Sequence, residues 1–166
     1  MDSVTLELLG KLLVGHADAM GYVDWAIAQL EAGRVTKNIQ ILAGLPKPVS
    51  ALEAEDYFYK AMGDLGWQVP GEESTLWHYA GVVAHDIVSG ARNPVDGCHE
   101  IYRIYRALGY PGSLVAWLYL DEELEVGSYA DLRGERLRSA IIAEAKRLIA
   151  AVEALPDVGA GHNERA

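Results

Sequence analysis

Residues 74–109 read STLWHYAGVVAHDIVSGARNPVDGCHEIYRIYRALG, and their periodicity decides the fold class. Leu76, Ala80, Val83 and Ile87 recur at helical spacing, so one apolar stripe runs down a helix over 74–89. Ser89-Gly90 ends that helix. Asn93 then offers an N-cap side chain, and Pro94 takes the first helical position, where an N–H would be unpaired anyway. Asp96 falls in the first turn, where the helix dipole favours negative charge. From there Val95, Cys98, Ile101, Tyr102, Tyr105 and Leu108 form a second stripe that Gly109 closes. The stretch therefore encodes two amphipathic helices, joined at the Asn93-Pro94 start.

The same pattern extends outward in both directions. Over 16–32, Met20, Val23, Ile27 and Leu30 share a stripe, with Gly33 as the stop. Ser50 with Glu53 forms a capping box after Pro48, opening a helix to about residue 65 whose apolar face is Leu52, Tyr59 and Met62, closed by Gly66. Pro111 opens an apolar segment over 114–120. The last helix, about 135–154, carries Leu137, Ile141, Ala145, Leu148 and Val152 in register before Pro156 stops it. Only Gln40-Ile41-Leu42 and the segment 115–120 compete as strands. The expectation is an all-α chain: one compact domain over 1–155, a bundle of about six helices with short loops. The Gly-rich, charged tail 156–166 is expected to be disordered.

Composition bounds the function. With 166 residues, 51% apolar and 23% charged, the chain can bury a real core. No apolar run approaches the ~20 residues needed to span a bilayer, so no membrane role is expected. Near the N-terminus Glu7 and Lys11 interrupt the apolar stretch, which argues against a signal peptide. The single cysteine, Cys98, excludes an internal disulfide and fits a reducing compartment; a cytoplasmic location is expected. The net charge of −10 is concentrated in two blocks. Residues 61–90 hold Asp64, Glu72, Glu73 and Asp86 with no Lys or Arg, and 111–135 hold six acids against Arg133. Such a distribution repels nucleic acid phosphates and attracts a basic partner, although charge also serves simple solubility.

The chemistry-bearing residues cluster between Trp77 and Leu124. His78 and His85, seven apart, fall within roughly 20° of each other on the helix face opposite the Leu76–Ile87 stripe, but ~10.5 Å apart along the axis. Zinc-type helical pairs need i, i+4 spacing, and the positions between hold Gly81 and Val82, which cannot ligate. A metal or ligand site would have to recruit His99, Glu100 and Asp86 as well; surface or interhelical histidines are the plainer reading. Cys98 beside His99 suggests a nucleophile with its base, yet adjacent helical residues project about 100° apart. Cys98 also lies on the apolar stripe, so a buried, inert thiol is expected. Arg103 and Arg106, on the polar side of their helix, could pair with Glu100 or hold an anionic ligand.

Asp121, Glu122, Glu123 and Glu125 lack the glycine and terminal glutamate of a calcium loop, since Val126 and Leu132 stand in those places. With Trp117 and Tyr119 just before them, they read either as a solvated turn or as an acidic, aromatic-bearing face that docks a basic protein. There is no GxGxxG, no Walker-type loop and no nucleophile elbow, so neither a catalytic residue nor a cofactor is expected.

The run Tyr79-Ala80, Ile87-Val88-Ser89-Gly90, Pro94, Gly97, Ile101-Tyr102-Arg103, Tyr110-Pro111 and Tyr119-Leu120-Asp121, with Leu42-Ala43-Gly44-Leu45 and the segment 55–67, resembles small uncharacterised bacterial proteins over residues 40–125. The resemblance implies a bacterial source and no particular activity. The functional expectation is thus a non-catalytic, cytoplasmic protein-binding module, with Trp117, Tyr119, Asp121, Glu122, Glu123 and Glu125 as the binding residues; an immunity or antitoxin role is one concrete form. Its alternative is a small metal- or ligand-binding enzyme built from His78, His85, His99, Glu100 and Asp86. The oligomeric state stays open.

Overall fold

The computed structural model describes residues 1–126 and 132–154. Among them the chain is helical throughout, with no strand, so the all-α expectation holds. The count differs: eight α-helices form, where the periodicity suggested about six. The added ones are α1 (Ser3–Leu13) and α3 (Lys37–Ala43), the latter covering the strand-like Gln40-Ile41-Leu42. The second strand candidate, 115–120, is helical as well, within α7 (Val115–Val126). Short apolar runs do not distinguish strand from helix by periodicity, and here helical packing decides. The expected tail over 156–166 lies outside the described residues. By its contacts the chain divides into two compact units, Met1–Gly71 and the part from Glu72 onward.

In the first unit every helix starts on a polar side chain that satisfies an otherwise unpaired N–H. Asp2 opens α1, Asp18 opens α2 (Ala19–Glu31), Thr36 opens α3 and Ser50 opens α4 (Ala51–Asp64). Each accepts from the amide three residues on. The Ser50–Glu53 box is therefore real at its Ser50 end, at 3.4 Å. Gly33, at φ +77, ends α2 in the left-handed conformation that a side chain would strain.

The core of this unit centres on Phe58. Its ring lies 4.7 Å edge-on from Trp25 and 5.4 Å from Tyr22, with Ile39, Leu42, Ala54, Ala61 and Met62 fully enclosed around it. Two expected stripes are rotated. On α2 the buried face is Tyr22, Val23, Trp25, Ala26 and Gln29, while Ile27 is exposed. On α4 it is Ala54, Phe58, Ala61 and Met62, and Leu52 and Tyr59 face solvent. Alanines carry little hydrophobic signal, yet they let helices approach closely and so choose the packed face. A polar chain ties α1 down: Trp25 Nε1 donates to Thr5 Oγ1 at 2.8 Å, Thr5 Oγ1 to Asp2 Oδ1 at 2.6 Å, and Arg34 pairs with Asp2.

The second unit is a four-helix arrangement. α5 (Glu72–Ser89), α6 (Pro94–Ala107), α7 and α8 (Leu132–Glu153) contact one another in that order, and α8 closes back on α5. A 3-10 turn, Gly112–Leu114, leads into α7. The expected N-terminus of α6 forms, with Asn93 Oδ1 accepting from Val95 N at 2.9 Å and Pro94 in the first turn. The stripe residues Leu76, Ala80, Val83 and Ile87 of α5 are buried, as are Leu137, Ile141, Ala145 and Leu148 of α8. None of the described helices is long and apolar enough to cross a membrane.

Candidate functional site

The polar residues of the second unit gather on α6 and its two neighbours. On α6, Gly97, Glu100, Ile101 and Ile104 recur at helical spacing and all are buried. Glu100 is thus a carboxylate at a core position, 3% exposed, and burial of a charge demands partners. Tyr79 on α5 supplies one, donating its hydroxyl to Glu100 Oε1 at 2.6 Å. Arg103, one turn on, supplies another, its guanidinium donating to Oε2 at 3.2 Å.

Asp121 repeats the pattern on α7. Leu114, Trp117, Asp121 and Leu124 are the buried positions of that segment, so Asp121 also occupies a core register. Its Oδ1 lies 2.6 Å from His99 Nδ1 on α6. With the carboxylate ionised, Nδ1 carries the hydrogen and donates; the His99 side chain is 37% exposed. Cys98, between these two networks, is fully enclosed. Burial, with the Asp121 charge adding to it, pushes its thiol up to about 12, far from a reactive thiolate. The inert reading of Cys98 therefore stands.

The six residues expected to form a partner face divide. Trp117 is completely buried, its indole N–H unpaired, so it packs the core and offers no surface anchor. Asp121 turns inward to His99. Glu122, Glu123 and Glu125 remain exposed on the last turns of α7, and Tyr119 is 61% exposed. The cluster is helical, not a loop.

Among the described residues no three His, Cys, Asp or Glu side chains converge as ligands of one ion. His85 projects to solvent, 4.0 Å from Glu153, and Asp86 pairs with Arg92 at 3.5 Å. His78 is half-buried with Nε2 unpaired, and desolvation holds its proton affinity below the ordinary histidine range. His99 and Glu100 serve the separate networks just described. One signal in the sequence pointed to those networks: both carboxylates fall on buried stripes, Glu100 between Gly97 and Ile104, and Asp121 between Trp117 and Leu124. A carboxylate at a core register announces a partner, though not which one.

No family profile, curated protein or solved structure matches this chain.

Proposed function

We propose that this protein is a non-catalytic protein-binding module that docks a basic partner through the outer face of α7. Val115, Tyr119, Glu122, Glu123 and Val126 fall within roughly a 100° arc of that helix, with Glu125 about 60° beyond it. The single observation that carries the reading is the exposure of Tyr119 (61%) and Val126 (80%) beside three exposed carboxylates. Apolar and aromatic groups left in water among charges of one sign suit an interface with an aromatic anchor and a charged rim. The opposite side of α7 is held by Trp117, Asp121 and Leu124, so the face is presented on a rigid element. Neutralisation of a basic toxin, as an immunity protein or antitoxin does, is one concrete form of such binding.

The test is affinity capture from cells with the intact chain, alongside Tyr119→Ala and the triple variant Glu122→Lys, Glu123→Lys, Glu125→Lys. A partner with a basic surface should be retained by the wild type, released as salt rises, and lost from both variants. Retention that is indifferent to charge reversal, or no specific partner at all, would sink the reading.

A further inference from the structure

The outer faces of α7 and α8 carry opposite charge at the same spacing. On α7, Val115, Tyr119, Glu122, Glu123 and Val126 are exposed, and no Lys or Arg occurs between Arg106 and Arg133. On α8, Ser139, Ala143, Lys146, Arg147 and Ala150 are exposed within an arc of roughly 100°. The acids of that helix, Glu135, Glu144 and Glu153, lie outside the arc. Arg147 also pairs with Glu144 at 2.8 Å, but its side chain is 77% exposed and such a pair contributes little.

Both sets follow the spacing i, i+4, i+7, i+8, i+11. Laid parallel and face to face, the two helices match residue for residue. Val115, Tyr119 and Val126 meet Ser139, Ala143 and Ala150, so large side chains find small ones, as close helix packing requires. Glu122 and Glu123 meet Lys146 and Arg147 along the edges, where interhelical ion pairs select a partner. One chain cannot make this contact with itself. α7 and α8 are joined by only the five residues 127–131, and neighbours over so short a connection run antiparallel. A two-fold axis across the helices reverses the α8 of a second copy and brings it parallel to α7.

We propose that the occupant of the α7 face is a second copy of this chain, in a two-fold dimer that seats each α7 against the α8 of the other copy. Such a dimer rests on the reading of α7 as a binding face and supplies its basic partner. The net charge of −10 per chain opposes self-association over long range. At ~0.15 M salt the screening length is about 8 Å, so distant acids are largely masked and the charges in contact decide. A foreign basic protein then has to displace the second copy from α7.

The test is sedimentation equilibrium of the full chain from ~1 to ~200 μM, a range suited to contacts of modest size. A reversible monomer–dimer equilibrium is expected. Glu122→Lys with Glu123→Lys sets cation against cation, and Lys146→Glu with Arg147→Glu sets acid against acid; each should weaken association about tenfold or more. Mixed in equal amounts, the two variants regain opposite charges at both copies of the contact and should form a heterodimer. Tyr119→Ala should weaken the wild-type dimer about tenfold. Lys146→Glu alone, at an exposed position, should weaken it roughly threefold and keeps the test open if the double variant unfolds. Association that both reversals leave unchanged, or variants that stay apart when mixed, would overturn the dimer. A chain that stays monomeric yet captures a foreign basic protein through α7 overturns the dimer alone. A monomer that captures nothing overturns the α7 reading as well.

Discussion

Gly97 on α6 lies against Ile87 on α5 so closely that a Cβ at position 97 would come within 2.4 Å of Ile87 Cγ1 and 2.5 Å of Cδ1. No real pair of atoms tolerates such an approach, and Ile87 is buried at 2%, with little room to turn aside. The absent side chain is what brings these two helices together, and with them Tyr79 within reach of Glu100. Gly97→Ala would normally favour a helix by up to about 1 kcal/mol. Here overpacking costs about 1–3 kcal/mol and should win. The expected outcome is a net destabilisation, read as a lower denaturant midpoint with unchanged slope. Unchanged or raised stability would show that α5 and α6 are not so closely opposed.

Two groups make the protein sensitive to acid in the same direction. Burial holds His78 below its ordinary value, so the unfolded chain binds that proton more readily than the folded one. Stability is then fully present above the ordinary histidine value and is lost as pH falls below it, down to the folded value. Asp2 acts lower on the scale. Desolvation would raise its carboxyl, but hydrogen bonds from Thr5 and Gln29 and the charge of Arg34 outweigh that and hold it below the carboxylate range. Its contribution is present above the ordinary aspartate value and is lost as pH falls through the folded value. Unfolding midpoints should therefore decline from about pH 7 to about pH 5, and His78→Leu should flatten that limb while leaving the deeper acid limb in place. An unchanged slope in the variant would show that His78 is not the titrating group.

Cys98 should be silent in the native protein. Its thiol is enclosed and held near 12, so almost no thiolate exists at pH values where disulfide reagents are used. Reaction with an aromatic disulfide reagent at about pH 8 should be on the order of 10³-fold slower in the folded chain than in denaturant. Comparable rates would place the thiol at the surface.

The helix starts were legible because capping is local. Asn93-Pro94 and Ser50 act on amides two or three residues away, and nothing distant alters that geometry. The stripes of α5 and α8 were legible because their large apolar residues agree with the packed face. On α2 and α4 the reading rotated, since Ala26, Ala54 and Ala61 select the buried side through close approach while contributing little apolar signal. The site residues divided for a related reason. Asp121 stands in a run of four acids, and its neighbours in sequence suggested solvent; its neighbours one helical turn away, Trp117 and Leu124, put it in the core.

The sequence by itself determined an all-α class, the caps at Ser50 and Asn93, a cysteine on an apolar stripe and a surplus of negative charge, because each follows from short-range spacing or composition. Only the tertiary structure decided that Trp117 is core, that among the described residues no three His, Cys, Asp or Glu side chains converge as ligands of one ion, and that Glu100 and Asp121 reach Tyr79, Arg103 and His99. Helical periodicity states which residues share a face. It does not say which helix that face meets, and the Tyr79–Glu100 and His99–Asp121 contacts, 21 and 22 residues apart in the chain, arise only when the helices pack.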